Sequence, residues 1–251
     1  MRVIGVIPAR YKSSRLEGKA LADIHGKTMV QHVYERARLA KNLDDVVVAT
    51  DDERILRAVV DFGGRAVMTS IDHRSGTDRV AEAIAFDPAD VIVNIQGDEP
   101  MLDPAMIEEV VGPFRRGAAT GIVTLKKEVF HDSEFADPGV VKVVTDADGL
   151  ALYFSRSLIP FPHARGPRFR VFEHVGVYAY SRESLLKLAA LPVSSLEEVE
   201  SLEQLRALEN GISILVVETA SKGESISVDT AADLERVRAA LLATSTQRIT
   251  A

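Results

Sequence analysis

The sequence predicts an α/β protein built around a mainly parallel sheet. In the first half of the chain, short apolar runs alternate with segments of about ten residues whose apolar positions have helical spacing. Two of those runs, DVVVAT at residues 45–50 and DVIVNI at residues 90–95, lack the polar alternation of a half-exposed strand. Strands of this kind, each followed by a helix, are typical of a doubly wound sheet. Ligands of such sheets bind beyond the carboxyl ends of the strands, so the loops there are the candidate sites.

Local patterns predict the individual elements. In the first half we expect strands at residues 3–7, 45–50, 65–69 and 90–95, and helices at residues 29–40, from 51 onward, 77–86 and 104–115. The second half predicts a mixed sheet, with strands at residues 140–145, 150–154, 175–180, 214–217 and 225–228 and helices at residues 182–190, 196–210 and 230–240. Thr230 and Asp233 give the last helix a capping residue and an acid three positions on. The chain has no repeat or clear linker, which favours one domain with an elaborated second lobe.

Composition excludes several classes of protein. The 251 residues carry a net charge of −7, whereas a nucleic-acid-binding domain usually has a basic excess, so we expect no nucleic-acid partner. The lack of cysteine excludes disulfides, thiolate nucleophiles and cysteine-bound metals, and fits a reducing compartment. No run approaches the ~18 apolar residues of a spanning helix, and Pro8 and Arg10 interrupt the apolar start of the chain. We therefore expect a cytoplasmic protein without membrane insertion.

The loop after the first predicted strand is a candidate phosphate site. Pro8 ends that strand because it has no N–H to donate. Four cations then alternate with small residues that let the backbone approach an anion: Arg10, Lys12, Ser13, Ser14, Arg15, Gly18 and Lys19. This composition suits a polyphosphate, and the alternative is a solvated basic turn. Gly-Lys-Thr at residues 26–28 is not a second phosphate loop, because that motif requires a glycine where Leu21 stands.

Two acidic positions are candidates for a metal site. Asp98 follows the apolar strand at residues 90–95 and lies beside Gly97, which suits Mg²⁺ held by one or two carboxylates and by substrate phosphates. The alternative is an acidic turn. Asp229 is a second candidate, although its place before the last helix also suits an N-cap and locally favours that structural role.

Two pairs of residues have local features that leave a binding role open. Ser75 and Gly76 begin a predicted helix whose amides could contact a base or a phosphate, but an ordinary helix cap explains the same residues. His174 and Tyr178 lie four residues apart on a predicted strand and should face the same side. A lone histidine is more often structural than ligand-binding, so the strand pattern alone does not assign it a substrate.

Taken together, the motifs resemble those of the 3-deoxy-manno-octulosonate (Kdo) cytidylyltransferases, also called CMP-Kdo synthetases. The opening motif of that family, IPARYxSxRLPGKPL, corresponds to IPARYKSSRLEGKAL at residues 7–21. The similarity continues in unbroken order over almost the whole chain. It includes VVVATDDERI at 46–55, HRSGTDR at 73–79, VNIQGDEP at 93–100, VVKVV at 140–144, ALYFSR at 151–156, HVGVYAY at 174–180, ESLEQLRALENG at 200–211 and VDTAADLERVR at 228–238.

The resemblance implies a Rossmann-like nucleotidyltransferase that joins CTP and Kdo, with Mg²⁺, to give CMP-Kdo and diphosphate. The implied catalytic residues are Arg10 and Lys19, which hold the triphosphate, and Asp98 and Asp229, which carry the metal. The implied nucleotide-binding residues are Ala9, Arg10, Ser13, Lys19, Ser75, Gly76, Gln96 and Asp98. The implied sugar-acid residues are Arg156, His174, Tyr178, Glu200 and Gln204, with Arg156 facing the carboxylate because its planar fork suits bidentate pairing.

The resemblance also implies how the chain is organised. We expect one nucleotidyltransferase domain over residues 1–251, with a nucleotide-binding core at about 1–127 and 213–242 and a smaller mixed α/β lobe at about 128–212. That lobe should bind the sugar acid and form a homodimer, which would explain apolar strands such as residues 140–144. The enzyme should act in the cytoplasm and supply Kdo for lipopolysaccharide.

This chain departs from the family pattern at two positions, and three alternatives remain. Glu17 and Ala20 replace the usual prolines, so the cation loop gains an acid and loses rigidity, and we expect an active enzyme with weaker CTP affinity. An enzyme for 8-amino-Kdo would share nearly all of these motifs. An enzyme for a sialic-type acid fits less well, because it would lack the LEQLR and ALYFSR runs. A catalytically silent homologue is disfavoured because all four implied catalytic residues are present.

Overall fold

The computed structural model describes residues 1–13, 15–85, 87–117, 121–163, 166, 169–223 and 226–249, without the side chains of 244–249. The chain forms two compact units: a first unit of Met1–Glu108 with Ser221–Ala251, and a second unit of Glu109–Ala220. The expected grouping of residues 1–127 and 213–242 as one core stays a prediction. The boundaries of the two units place residues 109–127 and 213–220 with the second unit instead.

The chain contains short strands and helices in alternation. The strands are β1 (Val3–Ala9), β2 (Asp23–Ile24), β3 (Lys27–Thr28), β4 (Asp45–Thr50), β5 (Ala66–Met68), β6 (Val91–Asn94), β7 (Ile122–Val129), β8 (Lys142–Thr145), β9 (Ala151–Ser155), β10 (Val171–Ser181) and β11 (Ile214–Glu218). The helices are α1 (Met29–Ala37), α2 (Glu53–Asp61), α3 (Gly76–Ala83), α4 (Pro104–Arg115), α5 (Asp132–Ala136), α6 (Arg182–Ala189), α7 (Ser195–Glu200), α8 (Gln204–Glu209) and α9 (Ala231–Ile249). Lys19–Leu21 forms a turn of 3₁₀ helix.

The first unit contains the predicted parallel sheet, in the order β6-β1-β4-β5. Val6 of β1 lies between Val47 of β4 and Asn94 of β6, and all three side chains are buried. The continuous apolar runs therefore occupy the covered strands, as the sequence predicts. Since the strands are parallel, their carboxyl ends lie along one edge, and the loops that follow β1, β4, β5 and β6 meet there.

The second unit contains the mixed sheet. β7 pairs in parallel with β11 and antiparallel with β10, and β8 pairs antiparallel with both β9 and β10. The strand β7 and the helix α5 were not predicted from the sequence. The strand expected at residues 225–228 is wrong for its described part, because residues 226–229 have no regular secondary structure.

The helix expected at residues 196–210 is divided in two. α7 ends at Glu200 because Ser201 adopts a left-handed conformation with φ 51°, and α8 begins at Gln204. The carbonyl groups of Glu200 and Ser201, at the end of α7, accept hydrogen bonds from the Arg156 guanidinium. The break thus turns the end of α7 toward one of the predicted sugar-acid residues. Nowhere in the described ranges is a helix both long and apolar enough to span a bilayer.

Candidate active site

A cavity of about 260 Å³ lies at the carboxyl edge of the sheet in the first unit. All nine residues that we expect to bind the nucleotide or the metal line it. They are Ala9, Arg10, Ser13, Lys19, Ser75, Gly76, Gln96, Asp98 and Asp229. The remaining lining residues are Pro8, Arg15, Ala20, Met29, His73, Arg74, Arg79 and Gly97. The fold therefore brings together four separate parts of the sequence at the place where a parallel sheet binds its ligand.

Close contact between two loops shapes this cavity. β1 and β6 are neighbours in the sheet, so the turns after them touch. A Cβ atom on Gly97 would lie 2.6 Å from the Pro8 carbonyl oxygen, which is closer than real Cβ contacts. Glycine at residue 97 thus allows the loop that carries Gln96 and Asp98 to lie against the phosphate-loop candidate.

Lys19 joins the two predicted metal ligands. Its Nζ donates to Asp98 Oδ2 at 2.7 Å and to Asp229 Oδ1 at 3.4 Å, and also to the Val228 carbonyl at 3.1 Å. The Val228 amide in turn donates to the Asp98 carbonyl at 2.9 Å. Two carboxylates that are distant in sequence therefore converge on one cation.

Asp229 does not cap α9, contrary to the structural role that its local sequence favours. The Thr230 hydroxyl accepts from the Asp233 amide at 3.2 Å, and the Asp233 carboxylate accepts from the Thr230 amide at 2.9 Å. This reciprocal pair caps the helix. The Asp229 carboxylate is left to face the cavity, where Arg15 contacts it at 3.0 Å.

The donor atoms of the two aspartates suit Mg²⁺. Both are carboxylates, and Mg²⁺ binds through one or two of these with its other ligands from water and substrate phosphates. In the part of the chain that the structure describes, no group of three or more metal-binding side chains occurs, so the protein offers a partial ligand set only. That set fits a metal ion whose remaining ligands come from a triphosphate and from water.

The cavity also carries a strong positive charge. Five cationic side chains line it against two carboxylates: Arg10, Arg15, Lys19, Arg74 and Arg79. Arg10 is exposed and makes no ion pair with any described residue. Arg10 also lines a second cavity of about 290 Å³ with Lys12, Ser13 and Glu17. The expected basic loop therefore has at least one cation available for an anionic ligand.

Arg79 belongs to the site although no sequence motif gave it a role, and Arg15, a cation of the predicted phosphate loop, pairs with Asp229. Arg79 is only 3% exposed, and it donates to Thr69 Oγ1 at 2.6 Å and to Asp51 Oδ2 at 2.8 Å. Asp51 also accepts from the Tyr11 amide at 3.4 Å. Arg79 thereby braces the loops that follow β1, β4 and β5. The available indication was a basic residue on the buried face of a predicted amphipathic helix.

Ser75 has the structural role that its sequence allows. Its hydroxyl accepts from the Asp78 amide at 3.1 Å and caps α3, whose first residue is Gly76. Both residues also line the cavity. The helix cap is confirmed, and a contact of these residues with the nucleoside stays a prediction.

Gly26-Lys27-Thr28 belongs to a hairpin and not to a phosphate loop, as expected from the lack of the glycine that the phosphate-loop motif requires. β2 and β3 form a hairpin whose two turn residues, His25 and Gly26, have φ values of 53° and 82°. Thr28 then caps α1 by accepting from the Gln31 amide at 3.3 Å. These residues are absent from the lining of the cavity.

In the second unit, the structure brings Arg156 and Glu200 together. The Arg156 guanidinium donates to the carbonyls of Glu200 at 2.8 Å, Pro138 at 2.8 Å and Ser201 at 3.3 Å. The Glu200 carboxylate accepts from the Ser155 hydroxyl at 2.6 Å and the Arg156 amide at 3.0 Å. Burial alone would raise the pKa of Glu200, but these hydrogen bonds and the Arg156 charge outweigh it and lower the pKa, so the carboxylate is charged at neutral pH.

His174 and Tyr178 face the same side of β10, as predicted. Their ring centroids lie 5.3 Å apart, and His174 packs edge-on against Phe154 at 5.1 Å. His174 Nε2 lies 3.0 Å from the Thr124 hydroxyl, and its side chain keeps part of its surface exposed. The protein around the His174 ring displaces the water that would hydrate its charged form. This loss of hydration lowers the pKa of His174 to about 3, so the ring is neutral at pH 7.

Tyr178 and Gln204 complete the predicted set. The Tyr178 hydroxyl is buried and has no hydrogen bond of normal geometry to any described residue, which leaves a polar group for a ligand to satisfy. Gln204 is buried at the start of α8. β9 connects the two clusters, because Phe154 packs on His174 and the next residue, Ser155, binds Glu200.

Comparison with known proteins identifies the family of the chain. The profile of the cytidylyltransferase family matches residues 4–214. The chain is 52% identical over 248 residues to the 3-deoxy-manno-octulosonate cytidylyltransferase of Geobacter sulfurreducens, covering 94% of this chain and 98% of that protein. It is 54% identical over 236 residues to the protein of the same name from Solibacter usitatus, covering 94% and 93%.

A solved structure gives the same result. A CMP:2-keto-3-deoxy-manno-octonic acid synthetase complexed with CTP has a TM-score of 0.91 to this chain and is 48% identical to it, covering 98% of this chain and all of that one. The fold class and the enzyme class expected from the sequence are therefore confirmed. From its motifs, its fold and these similarities, the chain belongs to the 3-deoxy-manno-octulosonate cytidylyltransferase family.

Proposed function

We propose that this enzyme transfers the cytidylyl group of CTP to Kdo with the help of Mg²⁺. The anomeric hydroxyl of Kdo attacks the α-phosphorus and gives up its proton to water, the bond from that phosphorus to the bridging oxygen of the β-phosphate breaks, and diphosphate leaves. The observation that carries the proposal is the convergence of Lys19, Asp98 and Asp229 in a cationic cavity. This reaction asks for alignment and charge neutralisation rather than covalent catalysis by the protein.

We assign the triphosphate to the basic loop after β1. Arg10 is exposed and unpaired among the described residues, so it can bind phosphate oxygens without giving up an existing partner. Lys19 can exchange a carboxylate for a phosphate at short distance. Ala9, Ser13, Ser75, Gly76 and Gln96 complete the nucleotide-binding surface of the cavity. CTP is thus bound by charge at one end and by small or polar groups at the other.

We assign Mg²⁺ to Asp98 and Asp229. When bound there, the ion would neutralise phosphate charge and polarise the α-phosphate. Lys19 holds the two carboxylates close together in the free protein, which reduces the repulsion between them. Arg15 adds a second positive charge at Asp229.

We assign the sugar acid to the cluster around Arg156 in the second unit. Arg156 uses three of its N–H groups on backbone carbonyls, and an arginine has five, so two remain for the sugar carboxylate. Neutral His174 and the Tyr178 hydroxyl supply groups that suit sugar hydroxyls. Glu200 and Gln204 complete the set. We further assign the reaction to the cytoplasm, as the family resemblance implies.

The proposal is tested by measuring diphosphate release from CTP, Mg²⁺ and Kdo, with each component omitted in turn. We expect release only when all three are present. Each of the other nucleoside triphosphates replaces CTP in parallel reactions, and we expect turnover with CTP to exceed theirs. Release that continues without Kdo, or no release with any sugar acid, would contradict the proposal.

A further inference from the structure

Lys142 is a buried cation that the proposed reaction does not use. Its side chain lies in β8 and is fully buried. The Nζ donates to the backbone carbonyls of Asp137 at 2.9 Å, Val140 at 2.6 Å and Arg156 at 2.6 Å. An ammonium group has three N–H donors, so all of them are engaged. Within the described chain, no carboxylate pairs with this ammonium at ion-pair distance.

A charged side chain that is buried in this position lowers the stability of the folded protein, so its presence there needs an explanation. Burial lowers the pKa of Lys142 because the charged form loses its hydration, which shows the direction of the cost. An apolar side chain of similar length would fill the same space without that cost. Unlike an apolar side chain, the ammonium fixes the orientation of the backbone around it, because three carbonyl groups must point at its nitrogen atom.

Those three carbonyls belong to the segments that hold the Arg156 guanidinium. Asp137 and Val140 flank Pro138, whose carbonyl accepts from Arg156 Nη1. The third carbonyl is that of Arg156 itself. Lys142 therefore fixes the backbone of Arg156 and also the loop that its side chain binds, while the Glu200 and Ser201 carbonyls hold the other side of the guanidinium.

We propose that Lys142 is a positioning residue for the sugar-acid site, and that it acts by fixing residues 137–140 and the Arg156 backbone so that the guanidinium points its remaining donors at the substrate carboxylate. This inference rests on the proposed assignment of the sugar acid to Arg156. Lys142 does not touch the substrate in this account. Its effect on sugar-acid binding passes entirely through Arg156.

A double-mutant cycle tests this dependence. Lys142→Met, Arg156→Gln and the double variant are compared for kcat and for the KM values of CTP and Kdo. We expect Lys142→Met to raise the KM for Kdo at least about tenfold while the KM for CTP changes less than about twofold. Because Lys142 acts through Arg156, the double variant should bind Kdo no more weakly than Arg156→Gln alone.

Two further variants serve as controls. Lys126→Met removes a partly buried lysine of the second unit, whose Nζ donates to the Thr145 hydroxyl, and should leave both KM values unchanged. Lys142→Arg retains charge and donors and should restore most of the Kdo affinity. Effects that multiply in the double variant, or equal increases in both KM values, would overturn the proposal.

Hydrogen exchange followed by mass spectrometry tests the same idea without any substrate. In Lys142→Met, amides of residues 137–141 and 155–157 should exchange faster, and the rest of the second unit should not change. Unchanged exchange there would overturn the proposal, even if the wild-type enzyme uses no sugar acid and the proposed function itself fails. If Lys142→Met does not fold, Lys142→Gln, which keeps two donors, takes its place in both experiments.

Discussion

The proposed chemistry of the first site depends most on three residues, Lys19 and its two carboxylate partners. In the free protein, Lys19 occupies the position where Asp98 and Asp229 converge. A triphosphate offers Lys19 a competing anion, and the carboxylates are then available to a divalent cation. In the proposed reaction, the same three residues therefore serve the free site and the substrate-bound site in different pairings.

Replacement of either aspartate tests this metal assignment. We expect Asp98→Asn and Asp229→Asn each to reduce kcat at least about 100-fold, because electrostatic stabilisation of this kind is worth that much, with little change in Tm. Asp103→Asn is the matched control, since the Asp103 carboxylate caps α4 by accepting from the Ala105 amide at 3.1 Å and does not line the cavity, so it should lower Tm and leave kcat within about twofold. Near-normal kcat in either test variant would remove that residue from the metal site.

Glu17 is the residue of the basic loop that opposes an anionic ligand. It is exposed, and in the described chain its backbone amide donates no hydrogen bond, so a proline there would remove none. Glu17→Pro should stabilise the binding loop by about 0.4–1 kcal/mol and so lower the KM for CTP about two- to fivefold. Glu17→Gln removes the charge alone. Equal KM values for the two variants would show that charge, not rigidity, limits CTP binding.

His174 gives the protein a pH-dependent stability. Its pKa is lowered from 6.5 to about 3 in the folded chain, so below pH 6.5 the unfolded chain binds a proton that the folded chain does not. The contribution of neutral His174 is therefore complete above pH 6.5 and declines as the pH falls toward 3. In urea unfolding, the stability advantage of wild type over His174→Gln should shrink over that range. A constant difference would contradict the lowered pKa of His174 in the folded chain.

Gly97 determines how closely the loop after β6 can approach the loop after β1. Its lack of a Cβ lets the turn after β6 lie on the Pro8 carbonyl, 2.6 Å from where a Cβ would be. Gly97→Ala must push Gln96 and Asp98 away from the β1 loop. We expect a raised KM for CTP and a lower kcat, because small displacements in an aligned site are costly. Gly223→Ala is the control, since Gly223 does not line the cavity and its Cβ would meet Ser221 Oγ at an ordinary 3.7 Å; equal effects would contradict this explanation.

Elements with strong periodic patterns were predicted well from the sequence. The covered strands β1, β4 and β6 are continuous apolar runs, and the caps of α3 and α9 follow from Ser75 and from Thr230 with Asp233. The division of α7 from α8 was not predictable, because it depends on Ser201 and on the Arg156 guanidinium far away in sequence. β7 was missed because Lys126 and Lys127 interrupt its apolar run.

The candidate site required information at the scale of the whole chain. Lys19 meets Asp98 79 residues later and Asp229 210 residues later, and no local spacing can indicate such a contact. The order of the motifs along the chain indicated the family, and the family resemblance in turn placed these three residues in one site. Contacts that belong to no motif role, such as Arg15 with Asp229 and Lys142 with its carbonyls, required the folded structure.

Homodimerisation through the second unit is a proposal at this same scale. The apolar strand expected to serve it does not require a partner, because Val143 of β8 is already buried within its own unit. Exposed apolar side chains of that unit, including Leu152 at 61% and Phe161 at 81%, are better candidates. Leu152→Glu should shift the mass measured by light scattering from dimer toward monomer. A wild-type monomer at micromolar concentration would contradict the proposal.

We propose that this chain selects Kdo as the sugar acid that it activates with CTP. A single competition reaction tests it, with CTP, Mg²⁺ and equal amounts of Kdo, its 8-amino analogue and a sialic acid, and with the CMP-linked products measured by mass spectrometry. The product ratio gives the ratio of kcat/KM values for the competing acids. We expect CMP-Kdo to dominate. A majority of either other CMP-linked acid would contradict the account.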